Sequence, residues 1–135
     1  AKLLYAFAEA TVPKVTLILR KAFGGAYIAM NSKDVGADYV FALPIAQVAV
    51  MGAEGAVEII NKKEIAAAPD PAAARAQCIA KYEEELMNPY VAASMGVVDE
   101  VIHPADVRKR LIAAFDALKT KEQKRHWKKH ANIPL

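Results

Sequence analysis

Two glycine-centred segments, GGAY at 24–27 and MGAEG at 51–55, are where residue type and spacing in this 135-residue chain could do chemistry. Each lies between an apolar, strand-like run and a helix-like run. At such a junction glycine allows the sharp turn. The N–H groups of Gly25 and Ala26 are then unpaired donors at a helix N-terminus. Such a pair can stabilise negative charge developing on a carbonyl oxygen. Gly-Gly also serves simply to make a turn, and spacing alone leaves both readings open. In the second segment Gly52 and Ala53 offer a similar donor cluster. There Glu54 is either a general base or a carboxylate placed to favour the positive helix end.

Other chemistries find little support. Ser32 and Ser94 lack the G-x-S-x-G context of a hydrolase nucleophile, and Cys78 has no histidine close in sequence. No G-x-G-x-x-G follows a strand, no phosphate-binding G-x-x-x-x-G-K-[ST] occurs, and no Cys/His cluster has metal spacing. His126 and His130 stand at i, i+4 but without further ligands, so no metal site is expected. Residues 121–130 (KEQKRHWKKH) hold five Lys or Arg against one Glu, while the rest of the chain is close to neutral. This run, with Trp127, reads as a solvated segment or one laid against a partner subunit or an anionic cofactor, and no nucleic-acid partner is expected.

The elements that must position these turns follow from pattern. A helix is expected over 2–10, beginning without a capping residue or an initiator Met, so the chain reads as a piece of a longer subunit. Val12-Pro13 forces extended backbone, and 15–19 (VTLIL) is apolar on both faces, as in a strand covered on two sides. A turn over 21–25 leads to a short helix over 26–33, and strands are expected over 39–43 and 46–51, separated by Pro44. Helices then follow over 56–67, from Pro71 to about 87 with Asp70 as cap, and over 90–95. A strand at 97–102 precedes a last helix, where Val107, Leu111, Ala114, Phe115 and Leu118 form a stripe assigned to the core. Alternating strands and helices make an α/β layered domain over 1–120, with 121–135 as a basic tail. With 55% hydrophobic residues, no run of membrane-span length and one cysteine, the chain fits a globular protein of the cytoplasm.

Several segments together resemble a known family. They are ATVPKVT (10–16), RKAFGGAY (20–27), NSKD (31–34), GAD (36–38), VMGAEGAV (50–57), NPYVAA (88–93) and KHANIPL (129–135). In order and spacing they resemble the C-terminal end of the carboxyltransferase (β) subunit of biotin-dependent acyl-CoA carboxylases. That family includes propionyl-CoA carboxylase, the 12S subunit of transcarboxylase and the α subunits of acyl-CoA decarboxylases. The resemblance implies a crotonase-like fold, truncated at its N-terminus, and transfer of a carboxyl group between biotin and an acyl-CoA. It further implies that the Gly25 and Ala26 N–H groups form the oxyanion hole for the ureido oxygen of biotin. Gly24, Tyr27 and Ile28 would line the biotin and acyl pocket, with Ile28 at the position associated with the choice of acyl chain. The implied partners are the subunit's own N-terminal carboxyltransferase domain, further copies in a dimer-based hexamer, and the biotin carboxyl carrier and biotin carboxylase components. In a eukaryote the implied location is the mitochondrial matrix. Leu43 and Ala131 depart from the commonest pattern, which has Trp and Gly there, and leave carboxylase and decarboxylase both open. Two alternatives remain: a stand-alone crotonase-type enoyl-CoA hydratase or isomerase using Glu54 as base, and a non-enzymatic assembly module.

Overall fold

A computed structural model describes residues 2–127. Helix α1 (Lys2–Glu9) precedes two consecutive strands, β1 (Val15–Ile18) and β2 (Lys21–Phe23), and a short helix α2 (Gly24–Ala29). A 3-10 turn (Lys33–Val35) leads to strands β3 (Tyr39–Ala42) and β4 (Gln47–Ala49). Helices α3 (Ala53–Ile60), α4 (Lys62–Ala67), α5 (Pro71–Leu86) and α6 (Pro89–Ser94) follow. The short strand β5 (Glu100–Val101), a 3-10 turn (Pro104–Asp106) and α7 (Val107–Ala117) complete the order.

All pairings are parallel, as helical crossovers require. One sheet has the order β1-β3-β5, and the other pairs β2 with β4. The two are successive stretches of the same pair of strands. Val15 to Ile18 run beside Tyr39 to Ala42, and both chains then break, at Leu19-Arg20 and at Leu43 to Ala46. Beyond the break Lys21 to Phe23 run beside Gln47 to Ala49. Pro44, which cannot donate to a ladder, falls in the break. Backbone bonds from Leu43 N–H to the Ile18 carbonyl (3.0 Å) and from Gln47 N–H to the Arg20 carbonyl (2.6 Å) carry the pairing across it.

The strand buried on both faces is the central β3; β1, expected to be covered on two sides, is an edge strand in which only Ile18 is buried, with Leu19 just beyond it 60% exposed. Val40 and Ala42 enter one core cluster with Ile18, Ala22, Ala92 and Val98. Phe41, and Leu43 just beyond the strand, enter a second cluster with Ile102 and Ala114 of the last segment. This alternation follows from the two-residue period of a strand.

Several boundaries differ from the sequence-based expectation. The stretch expected as a turn at 21–25 begins as strand β2, because Ala22 is buried and its neighbours find partners on β4. α2 accordingly starts at Gly24 rather than Ala26. It ends at Ala29, since Asn31 takes a left-handed φ of 73° that no helix continues. The helix expected over 56–67 starts at Ala53 and divides at Asn61 into α3 and α4. The strand expected over 97–102 reduces to Glu100–Val101. In α7 the stripe is only partly core: Ala114 is buried and Leu111 packs against the second cluster, but Phe115 is 48% exposed. A helix lying on one edge of the sheet covers fewer of its own positions than the stripe is wide.

The described part of the basic run, 121–127, bonds back to the body through Lys121 and Arg125. Lys121 Nζ reaches Asp38 Oδ2 at 2.8 Å and the Val12 carbonyl at 3.0 Å. Arg125 donates to the Ala8 carbonyl at 2.6 Å, at the negative end of α1. Trp127 is exposed. His130 and the terminal KHANIPL segment lie outside the described residues.

Candidate functional site

The two glycine turns are neighbours because the strands feeding them are paired: Phe23 at the end of β2 stands opposite Ala49 at the end of β4. Gly24, the first residue of α2, has φ of +55°, and a Cβ placed on it would lie 2.8 Å from the Val50 carbonyl oxygen. Backbone thus passes against backbone, a packing that only glycine permits. Gly52, the cap residue of α3, lies beside the Phe23 ring.

Gly25 is different. Nothing lies within 4 Å of where its Cβ would be, and its φ is not in the left-handed region. Neither packing nor backbone conformation accounts for glycine here. Phe23 precedes the helix and provides no side-chain cap, so the first N–H groups of α2 keep their donors free of that competition.

The open space at Gly25 belongs to a cavity of about 440 Å³, within the size range of small-molecule sites. It brings together Gly24, Gly25, Tyr27 and Ile28 from the predicted set. Ala26 lines instead a second cavity of about 500 Å³, across α2, with Phe23 and Met30. Glu54 is exposed in the first turn of α3, and Gly52, Ala53 and Glu54 are not among the residues lining the first cavity. The second turn contributes through Val50, whose position next to Gly24 closes one side.

Among the contributors that escaped the sequence reading are Asp34 from the 3-10 turn, Tyr82 and Leu86 from α5, and Val91 and Met95 from α6 and its C-terminal cap. The helical residues carry a signal, since Tyr82/Leu86 and Val91/Met95 are i, i+4 pairs. That signal resembles ordinary core packing and becomes distinctive only when the two helices are seen facing α2.

Tyr27 packs its ring against the first core cluster, and its hydroxyl is buried with no hydrogen-bond partner among the described residues. Burial pushes the phenol pKa up, and the nearby Asp34 carboxylate adds to the rise, so Tyr27 stays protonated. Asp34 is held by local bonds. Its amide donates to Ser32 Oγ at 3.2 Å, and Ser32 Oγ donates to its carboxylate at 3.1 Å. The exit of α2 is fixed by Asn31, whose side chain donates to Thr16 Oγ1 (2.9 Å) while Thr16 donates back to the Asn31 carbonyl (2.7 Å). Among the described residues no group of three or more His, Cys, Asp or Glu could hold a metal ion. No helix there is long and apolar enough to cross a membrane.

This geometry is an uncapped helix start opening on a mostly apolar cavity, beside a second strand-to-helix turn. Residues 1–133 match the carboxyl transferase domain model. The chain belongs to that family. A putative propionyl-CoA carboxylase beta chain of Bacillus subtilis (strain 168) is 57% identical over the whole chain, which covers 27% of it. The methylmalonyl-CoA decarboxylase subunit alpha of Propionigenium modestum is also 57% identical over the whole chain, which covers 26% of it. Among solved structures, the transcarboxylase 12S subunit superimposes with a TM-score of 0.94 at 54% identity, over 99% of this chain and 26% of that one. That structure is a hexamer with methylmalonyl-coenzyme A and methylmalonic acid bound. The carboxyl transferase domain therefore has the α/β, crotonase-like fold expected, and this chain spans about a quarter of the length of the curated relatives it matches. Equal identity to a carboxylase and a decarboxylase leaves the direction of net reaction unassigned by likeness.

Proposed function

We propose that this chain is the biotin-facing part of a carboxyltransferase subunit, moving a carboxyl group between biotin and an acyl-CoA of the acetyl, propionyl or methylmalonyl class. The observation that carries this reading is Gly25: a glycine with no packing reason to be one, at an uncapped helix start, opening on an apolar cavity. The site fits a cyclic urea. A Cβ on Gly25 would meet no protein atom within 4 Å, so the space in front of the helix start is open to a ligand, and the donors suit a single carbonyl-type oxygen.

Biotin, carried on a partner protein or domain, supplies the transferable carboxyl group. With biotin bound, the N–H groups of Gly25 and of Ala26, which lines the cavity across α2 but shares the same uncapped helix start, would donate to its carbonyl-type oxygen and favour negative charge there, as fixed backbone dipoles that need no reorganisation. Apolar side chains form most of the cavity wall, a setting in which such an interaction is stronger than in bulk water. Gly24 sets the direction in which the donors point through its contact with Val50. Ile28, on the same cavity, lies toward the acyl group. Such a site works without a catalytic triad or a side-chain base, and Glu54, away from the cavity, leaves the hydratase alternative without one.

Residues 1–120 are then part of a carboxyltransferase domain and 121–135 its basic tail. The partners are the rest of the subunit, further copies in a dimer-based oligomer, and the biotin carrier and biotin carboxylase components. The compartment is that of those partners, the cytoplasm or, in a eukaryote, the mitochondrial matrix. The test is a carboxyl-transfer assay with biotin donor and acyl-CoA, run on the complete subunit and on the 135-residue chain. The complete subunit is expected to turn over and the isolated chain to be inactive. Enoyl-CoA hydration by the isolated chain, abolished in Glu54→Gln, would overturn the assignment.

A further inference from the structure

The cavity wall opposite α2 has a feature that folding does not explain. α5 and α6 meet at an elbow fixed from several directions. Met87 is 1% exposed, and its carbonyl accepts a bond from Val48 N–H of β4 at 3.1 Å. Asn88 caps α6, its side chain accepting from the N–H groups of Tyr90 (3.1 Å) and Val91 (3.0 Å). Ala92 is buried, and Gly96 in the left-handed region (φ +74°) ends the helix. From this fixed platform two long apolar side chains reach the cavity while remaining open to solvent: Leu86, 49% exposed, and Met95, 71% exposed. Two methionines eight residues apart thus have opposite fates, one locked in the core and one over the cavity.

The charge of the lining says which end of an acyl-CoA enters. Among the described residues Asp34 is the one formally charged residue on this cavity, and no Lys or Arg lines it. A phosphate-bearing group finds no counter-charge there and meets a carboxylate, so the uncharged acyl end enters and the phosphates stay outside. Leu and Met, with several rotatable bonds, suit an alkyl group of variable length, and methionine in particular adapts its shape to what it packs on.

Building on the carboxyltransferase reading, we propose that Leu86 and Met95 form the wall that contacts the alkyl part of the acyl group, opposite Ile28. Met95 sets how long that group can be. It is a specificity-determining residue contributed by the α5–α6 elbow, independent of the backbone donors.

The experiment uses the complete subunit in wild-type form and as Met95→Ala, Met95→Trp and Tyr90→Ala. Tyr90 is a control from the same elbow that is exposed without lining the cavity. Carboxyl transfer is measured with acetyl-, propionyl-, butyryl- and hexanoyl-CoA. Binding of the matching unreactive acyl-CoA thioethers is measured by calorimetry in the absence of biotin. Since one methylene in an apolar pocket changes selectivity by roughly 10-fold or more, Met95→Ala is expected to raise the hexanoyl-to-propionyl ratio of kcat/KM about tenfold. It should raise the thioether affinity ratio in the same direction. Met95→Trp should lower the butyryl-to-acetyl ratio, and Tyr90→Ala should change neither. Ratios within twofold of wild type in both Met95 variants would overturn the proposal, as would equal losses with every acyl-CoA together with a raised KM for the biotin donor. Absence of transfer by the wild-type subunit would refute the carboxyltransferase reading instead, and the thioether affinities would still decide the wall.

Discussion

Gly24 and Gly25 are adjacent, yet alanine should act on them in opposite directions. At Gly24 a left-handed φ costs an L-residue about 1–2 kcal/mol. The new Cβ would also stand 2.8 Å from the Val50 carbonyl oxygen, a backbone atom that cannot rotate away. Relief requires the β4–α3 turn to shift, and the total destabilisation should reach about 2–4 kcal/mol. At Gly25 the added methyl meets nothing within 4 Å and adopts ordinary helical backbone, where alanine is favoured over glycine by about 0.5–1 kcal/mol. Thermal unfolding of the chain should therefore separate the two variants by more than about 8 °C, at roughly 3–5 °C per kcal/mol for this size. Activity should invert that order of merit for Gly25. Its methyl occupies space the proposed ligand needs, and a misplacement of about 1 Å at such a site costs on the order of 10² in rate. Gly25→Pro removes one donor outright in a helical turn that tolerates proline, and kcat of the complete subunit should fall by about 10²–10³. A Gly25→Ala subunit as stable as wild type and with wild-type kcat would refute the reasoning. So would a Gly24→Ala chain with an unchanged melting temperature.

The Asp38 carboxylate ties the basic segment to the start of β1, accepting from Lys14 N–H (2.7 Å) and from Lys121 Nζ (2.8 Å). Burial raises its pKa, but the hydrogen bonds from Lys121 and Lys14 and their charges outweigh burial and hold it below the ordinary 3.8. A depressed carboxyl stabilises the fold above pH 3.8 and loses that contribution as pH falls through its lower folded value. In urea titrations Asp38→Asn should be less stable than wild type by about 1–2 kcal/mol at pH 6, and the gap should close in strongly acidic buffer; an equal gap at both pH values would exclude the linkage. Asp70 caps α5 by accepting from the N–H groups of Ala72 (3.0 Å) and Ala73 (3.1 Å), so Asp70→Ala should cost about 1 kcal/mol with acyl transfer unchanged. Asn88→Ala should cost a similar amount but also change acyl-chain preference, because Asn88 fixes the elbow that carries Leu86 and Met95; its steady-state selectivity is the check.

What could be read from the residues was whatever local pattern alone decides. Asp70-Pro71 marks a helix start through chemistry within three residues, and α5 begins there as expected, while α6, expected over 90–95, runs from Pro89 to Ser94 behind the Asn88 cap. The apolar run at 39–43 reads as a strand and is one, but the two-sided burial expected of 15–19 goes to β3 instead, because sheet order, which places β1 at an edge, is not a local property. Residues 21–23 were another matter. Lys-Ala-Phe is too short and mixed to read as a strand, and it becomes one only because Gln47 to Ala49 lie alongside. The same nonlocality moved the start of α2 to Gly24. Phe115 shows the reverse failure, since periodicity reports which residues share a face and not whether anything covers it.

The site follows the same division. The glycine turn that carries the proposed donors was legible because a strand-to-helix turn with paired glycines is a local event, while the opposing wall was not, because α5 and α6 are brought to the cavity by contacts distant in sequence, among them the β4–Met87 bond and the packing of Ala92. The division has a chemical consequence. The proposed donors are backbone groups beside Gly24, whose close approach to Val50 depends on backbone and not on a side chain. The wall consists of side chains on a separately anchored elbow. On the proposed reading, a site divided in this way would change the group it accepts through positions such as Leu86 and Met95 while keeping the proposed donors intact. Equal identity to relatives named for carboxylation and for decarboxylation is compatible with that proposal, since one donor geometry would serve a transfer in either direction.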